Sequence, residues 1–351
     1  TLKPFLPQLQ TTYVKCLSDP PNSEAVRQKA AESLGMLVRR SARTEPLINE
    51  LSGGVANNED AMARLYMGVA LGEVLLNVPQ PASEAAQEKI QDALEPRALE
   101  GEGTQREREV TGWALGILLR RHLPVEKAAI VLQESVGAAL EEGPSARRTG
   151  AALALAGACW CQEPGALAEP PPQELMDIAL DLAKTWLPKL LSDGDGEVHS
   201  AALALAASVA KLHAKASLPW EGMAAVAERI AVLVAPGDLG ISSKTALLAA
   251  RHYLAAARCA GTAMSSGGAR VAAAVALRAV HKNCEDPEDG ERALAAALDA
   301  DKGDEGKVKT SLDKLIASAD GKAAEALKAY SLKRVRAISQ HTGPSNFVWD
   351  L

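Results

Sequence analysis

The chain has 351 residues, 47% hydrophobic and only 3% aromatic, with 67 alanines and a formal net charge of −6. An interior filled by Leu, Val and Ala suits close-packed helices and argues against sandwiches and barrels, which draw on β-branched and aromatic residues. A charged fraction of 23% at a mean hydropathy of −0.04 excludes wholesale disorder. No apolar run approaches the roughly 20 residues of a membrane span, and net acidity argues against whole-surface attraction to nucleic acid while leaving room for local basic patches.

Residues 2–18 place Phe5, Leu6, Leu9, Tyr13, Val14 and Leu17 at helical spacing. Asp19-Pro20-Pro21-Asn22-Ser23 breaks that helix, because proline lacks an amide proton and Asn or Ser caps the next helix. A second amphipathic helix is predicted over 24–40 on Val26, Ala30, Ala31, Leu34, Leu37 and Val38. Further helix pairs are predicted over 45–77, 83–121, 125–160, 172–212 and 220–260, separated by short breaks such as Pro79-Gln80-Pro81 and Leu123-Pro124. Beyond 261 the pattern loosens to helices over 268–283, 289–299 and 304–319, then a last helix over 322–340. The expected organisation is a repeat array over 1–261, less regular helical repeats over 262–340, and a tail over 341–351.

The second helices share one grammar. From Arg27, small residues follow at +3 and +4 (Ala30, Ala31) and a Leu-small pair at +7 and +8 (Leu34, Gly35). The pattern recurs from Arg64 (Met67, Gly68, Leu71, Gly72), Arg108 (Thr111, Gly112, Leu115, Gly116), Arg148 (Ala151, Ala152, Leu155, Ala156) and Arg270 (Ala273, Ala274, Leu277). The first spacings are 37, 44 and 40 residues. Positions +3, +4, +7 and +8 lie on one helix face, and small residues there let a neighbouring helix approach closely. One helix pair cannot bury such a face alone, so pairs must stack in line. The period is that of HEAT and armadillo arrays. The expected fold is all-α, a superhelical solenoid of about six to eight helix pairs. The arginines at the origin of each pattern are expected to hydrogen-bond or ion-pair between repeats.

Motifs that would carry chemistry are weak. Asp193-Gly194-Asp195-Gly196-Glu197 resembles a calcium loop but has Val198 at the sixth position and Ala204 at the twelfth, so a turn with Asp as helix cap is the favoured reading. Five scattered cysteines, Cys16, Cys159, Cys161, Cys259 and Cys284, make no disulfide framework and no zinc spacing, which favours reduced, buried thiols in a cytosolic or nuclear protein. No nucleophile elbow, P-loop or dinucleotide-binding glycine pattern follows a predicted strand. The expectation is a protein that is not an enzyme and holds no cofactor and no metal. No secretory signal opens the chain, and Thr1 in place of an initiator Met predicts a fragment or a processed chain.

Charge is more informative. Residues 24–43 carry five bases against two acids, and 322–340 carry five against Glu325; 285–305 is strongly acidic. A solvated helix face is the ordinary reading of each. The functional reading assigns partner contacts to Arg39, Arg40 and Arg43, and to Lys328, Lys333, Arg334 and Arg336 on the last helix. The first group would meet an acidic protein surface, whereas the second would suit ribosomal RNA phosphates without base specificity.

The string Leu2-Lys3-Pro4-Phe5-Leu6-Pro7-Gln8-Leu9-Gln10-Thr11-Thr12, with Val26-Arg27, Ala30-Ala31-Glu32-Ser33-Leu34-Gly35 and Glu45-Pro46-Leu47 behind it, resembles the C-terminal HEAT region of the general-control translational activator family. Ser311-Leu312-Asp313-Lys314-Leu315 resembles a lysine-rich helix near that family's end. The resemblance is strong over about the first 55 residues. It implies a cytoplasmic scaffold that binds ribosomes and, through a region near its C-terminus, the RWD domain of the amino-acid-starvation kinase, with no membrane and no small-molecule substrate. Two other roles stay open: direct contact with ribosomal RNA, and a generic HEAT or armadillo adaptor. The last is disfavoured because Trp113, Trp160, Trp186, Trp220 and Trp349 do not recur at one repeat position.

Overall fold

The computed structural model describes residues 5–41, 43–159, 172–216, 223–235, 250–251, 253–254 and 266–279, together with 309–310, 313–314, 316–317 and 321–328. They form helices and short turns, with no strand among the described residues. The chain divides into two compact units, Thr1–Ala183 and Lys184–Leu351.

In the first unit the helices are α1 (Leu6–Ser18), α2 (Glu24–Val38), α3 (Glu45–Asn57), α4 (Ala61–Asn77), α5 (Glu84–Leu99) and α6 (Gln105–Arg121). There follow α7 (Val125–Ile130), a π-helical turn (Val131–Val136), α8 (Gly137–Glu142) and α9 (Ser145–Cys159). Successive pairs are antiparallel hairpins, and the hairpins stack: α2 packs on α4, α4 on α6 and α6 on α9, while α3 packs on α5 in the other layer. This is an all-α array of the HEAT and armadillo type. The second unit contains α11 (Gly196–Ala216), α12 (Met223–Val234), α13 (Ser266–Ala279) and α14 (Gly321–Lys328), with α12 packed on α13 and α13 on α14. α10 (Gln173–Leu190) precedes α11.

The helix starts follow from local chemistry. Asp60 accepts the Met62 amide at 2.9 Å, and Thr104 and Glu107 form a reciprocal capping box at the head of α6. Gly101 and Gly103 take the left-handed backbone (φ 84° and 81°) that turns α5 into α6. α4 from Leu65 and α6 from Val110 are buried on every side, which is why their sequences lose amphipathic character in the second half.

The small-residue grammar is realised most fully between α6 and α9. A Cβ built on Gly112 would lie 2.5 Å from the Gly150 carbonyl oxygen, one on Gly157 would lie 2.6 Å from the Trp113 carbonyl oxygen, and one on Gly116 would run into the Ala154 carbonyl. The two backbones are in contact, so no side chain of any size fits between them.

The arginines at the repeat origins bond first to the turn of their own hairpin. Arg27, only 4% exposed, donates to the carbonyls of Leu17 (2.9 Å), Asp19 (3.1 Å) and Asn22 (3.2 Å). Arg64 donates to Asn58 and Glu59, Arg108 to Gly103 and Arg148 to Gly143. Contacts between repeats exist as well: Arg64 Nε meets Glu107 Oε1 at 2.7 Å, and Arg270 meets Glu228 at 2.9 Å. Helix C-termini leave carbonyls without intrahelical partners and carry a partial negative charge, so a guanidinium fork aimed at the end of the first helix locks each hairpin closed.

A second set of arginines ties one repeat to the one before. Arg97 of α5 donates to Val55 (3.0 Å) and Ala56 (3.2 Å) at the end of α3, and Arg147 of α9 donates to Leu99 (2.6 Å) at the end of α5. In the second unit Arg278 reaches Val234 at the end of α12, and Arg229 reaches Leu191 and Ser192.

Candidate functional site

Three connections between consecutive hairpins meet along one edge of the first unit. The first follows α2 and leads into α3 at Thr44, Glu45 and Pro46, with proline in the first turn where its missing amide is harmless. The second follows α4. Val78 takes an extended backbone before Pro79, Pro81 prevents the helix resuming, and Ser83 caps α5 by accepting the Ala86 amide at 3.4 Å. The third begins at His122.

These connections are bonded to one another. Arg39 donates to Asn77 Oδ1 through Nε at 2.8 Å and through its terminal nitrogen at 2.5 Å. Asn77 is buried and donates in turn to the Glu73 carbonyl at 2.8 Å. Arg121 donates to the carbonyls of Leu75 (3.1 Å), Leu76 and Val78 (2.7 Å), closing the C-terminal end of α4. His122 is 3% exposed; its Nδ1 accepts the Ala82 amide at 3.0 Å and its Nε2 donates to the Leu75 carbonyl at 2.8 Å. Both nitrogens are satisfied in the neutral ring, and burial pushes the pKa down to about 4.

Between the first two connections lies an open groove of about 670 Å³, with Ser41, Arg43 and Thr44 on one side and Pro79, Gln80 and Pro81 on the other. Arg40 and Arg43 are exposed, and neither guanidinium has an ion pair or hydrogen bond to the described residues. Of the three arginines that the sequence marks here, Arg39 pins two repeats together and Arg40 and Arg43 face solvent. Lys328 is exposed at the end of α14. Lys333, Arg334 and Arg336 lie outside the described residues, as does the whole of the acidic stretch 285–305. Arg121 and His122, which hold the Val78 carbonyl and the Ala82 amide on either side of the 79–81 segment, carry no signal in the sequence, because these partners are main-chain atoms.

The Asp193–Glu197 turn behaves as a cap. Asp193 Oδ1 accepts the Asp195 amide at 3.1 Å and Asp195 Oδ1 accepts the Glu197 amide at 2.8 Å. Among the described residues no group of three or more His, Cys, Asp or Glu side chains is disposed to hold a metal. Cys16 and Cys159 form no disulfide among the described residues, and Cys159 is buried. No described helix is long and apolar enough to cross a membrane.

No family model matches the chain. Among curated proteins it is 38% identical over 98 residues to the eIF-2-alpha kinase activator GCN1 of Saccharomyces cerevisiae, which is 28% of this chain and 4% of that one. It is 46% identical over 74 residues to the stalled ribosome sensor GCN1 of Homo sapiens, 21% of this chain and 3% of that one. It is 32% identical over 133 residues to the protein ILITYHIA of Arabidopsis thaliana, 38% of this chain and 5% of that one. The matched stretches thus cover only a few per cent of these relatives' length. A solved structure, the "Puf4 RNA binding domain bound to HO endonuclease RNA 3' UTR recognition sequence", aligns over 92% of this chain and 94% of its own at a TM-score of 0.35 and 12% identity, a level that says nothing of a ligand. The resemblance read from the residues is therefore matched by direct comparison: over part of its length this helical-repeat chain is similar to the GCN1 proteins.

Proposed function

We propose that this chain is a non-enzymatic scaffold segment of a cytoplasmic, ribosome-associated translational regulator, which helps recruit and activate the starvation-response kinase by binding its RWD domain. Similarity to GCN1 relatives, one of them named as an eIF-2-alpha kinase activator, carries this reading. The structure adds a rigid edge on which Arg40 and Arg43 are exposed and uncommitted. The chain's part in activation would be positional, raising the local concentration of the kinase without doing chemistry. Capture of a purified RWD domain by the full chain tests it. Arg40→Glu with Arg43→Glu should abolish capture, and undiminished capture would remove this edge from the account.

A second reading gives the chain direct ribosome contact through the basic C-terminal stretch. It is favoured by the exposure of Lys322 and Lys328 on α14 and by relatives named as stalled ribosome sensors. Phosphate contacts predict that ribosome co-sedimentation falls steeply with salt and is lost on deleting residues 322–351. A flat salt profile removes this reading.

A further inference from the structure

We propose that Ser41 is a phosphorylation site for a basophilic serine kinase, and that its phosphate neutralises Arg40 and Arg43. The site stands on its own surroundings; its consequence for a partner rests on the scaffold reading of this edge. Ser41 lies outside the helices, directly after Val38-Arg39-Arg40, with Arg43 two positions further on. The nearest acid along the chain is Glu45, four residues away. Each of the other described serines and threonines outside helices, Ser23, Thr44, Ser83, Thr104 and Ser192, has an acid within two residues. Among them Ser41 alone offers a hydroxyl set between arginines.

The hydroxyl is tied only within its own connection. Ser41 as a whole is half-buried, but its Oγ donates to the Arg43 carbonyl at 3.1 Å and accepts the Arg43 amide at 3.4 Å, both at the exposed surface. Among the described residues it bonds to no other repeat, so no inter-repeat hydrogen bond of this hydroxyl has to break for a kinase to take it. Arg40 and Arg43 are exposed, with guanidiniums unpaired among the described residues. Both are free for the bidentate grip of the carboxylates with which a basophilic kinase reads arginine. Arg39, held by Asn77, stays with the scaffold. In the step, Ser41 Oγ bonds to the γ-phosphorus of ATP and the bond from that phosphorus to the β–γ bridging oxygen breaks. ADP leaves, and the hydroxyl proton passes to the kinase's catalytic aspartate.

The product cancels the positive charge of this edge. A phosphoserine carries about −1.5 to −2 at pH 7, which offsets the two exposed guanidiniums. The Arg43 amide already bonds the Ser41 oxygen, so the phosphate oxygens are added within the same connection as both arginines. Thr44 places no side-chain cap on α3, and added negative charge near an uncapped helix N-terminus is favourable. An acidic partner surface that Arg40 and Arg43 attract in the unmodified chain then meets no net positive charge there.

The test treats the full chain with Mg²⁺, ATP and the catalytic domain of a serine kinase that takes arginine on both sides of its serine, and maps phosphate by mass spectrometry. Phosphate is expected on Ser41 and absent there from Ser41→Ala, with kcat/KM about tenfold lower for Arg43→Gln; circular dichroism and melting temperature confirm that both variants fold. No phosphate on Ser41, or a rate indifferent to Arg43→Gln, overturns the site. Phenylglyoxal, which modifies free guanidiniums, reads the second half of the proposal: phosphorylation should slow its reaction at Arg43 about tenfold, and equal rates overturn the neutralisation. RWD capture reports separately. The phosphorylated chain should capture the domain about tenfold more weakly than the unmodified chain. Capture by neither form removes the recruitment reading, while the phosphate map and the phenylglyoxal rates still decide the proposal.

Discussion

Arg64 Nε donates to Glu107 Oε1 at 2.7 Å, joining the first turn of α4 to the first turn of α6 one repeat later. Glu107 is 1% exposed and its other oxygen accepts the Thr104 amide at 2.7 Å, so one carboxylate closes a capping box and an inter-repeat ion pair together. Burial acts to raise its pKa, but the hydrogen bonds from Arg64 and Thr104 outweigh it and hold the carboxyl below its ordinary 4.5. Replacing Glu107 by Gln should destabilise the chain by about 3 kcal/mol in urea denaturation at pH 7, since it leaves a half-buried guanidinium without its charge partner. Because the folded pKa is the lower one, the carboxylate's contribution is complete above the unfolded pKa. It is lost as pH falls below 4.5 through the folded value. The variant should lack that part of the acid sensitivity.

His122 predicts a second pH effect with its own window. The folded ring, with a pKa of about 4, stays neutral where the unfolded ring, at 6.5, takes up a proton. Stability therefore falls as pH drops from 6.5 towards 4. Between about pH 7 and pH 5 the wild-type chain should lose about 2 kcal/mol more than His122→Asn. Equal slopes for the two proteins would show that the ring is not held neutral.

The α6–α9 contact separates glycines by their surroundings. Gly116→Leu should cost about 3 kcal/mol or more, because the side chain meets backbone rather than a movable neighbour. Gly53, on the exposed face of α3 with nothing within 4 Å of its missing Cβ, gives the contrary outcome: Gly53→Ala should stabilise by about 0.5–1 kcal/mol. Thermal melts of the two variants are the check.

Helix extents in the first 160 residues are readable because Pro-rich breaks and the 3.6-residue period agree; the predicted pair 45–77 and the observed α3 and α4 share their outer limits. The small positions of α6 are equally readable at Gly112 and Gly116. Their counterparts on α9 are not: residues 150–158 are almost all Gly and Ala, so spacing alone cannot select Gly150 and Gly157 as the points of contact. At the candidate site, Arg40 and Arg43 are legible as local charge. The division of labour between them and Arg39 is not, since the Arg39 partner, Asn77, lies 38 residues away in the next repeat. His122 reads as an ordinary residue at a helix end, because both of its partners are main-chain atoms.

The same division makes a prediction about conservative changes. Arg27→Lys should cost about 2 kcal/mol, because an ammonium cannot reach three carbonyls in the fixed plane that the guanidinium spans. Arg40→Lys should change stability by less than about 0.5 kcal/mol, as expected for an exposed side chain with no partner among the described residues. Chemical denaturation of both variants distinguishes a hairpin lock from a surface charge.

Hydrogen exchange of the full chain, alone and saturated with the RWD domain, tests the central claim most directly. The account predicts added protection at residues 39–48 and 78–83 and unchanged exchange within α6 and α9, as for a preformed scaffold gripped at one edge. Protection elsewhere with none at that edge, or slowing throughout the hairpins as they order on binding, would contradict it.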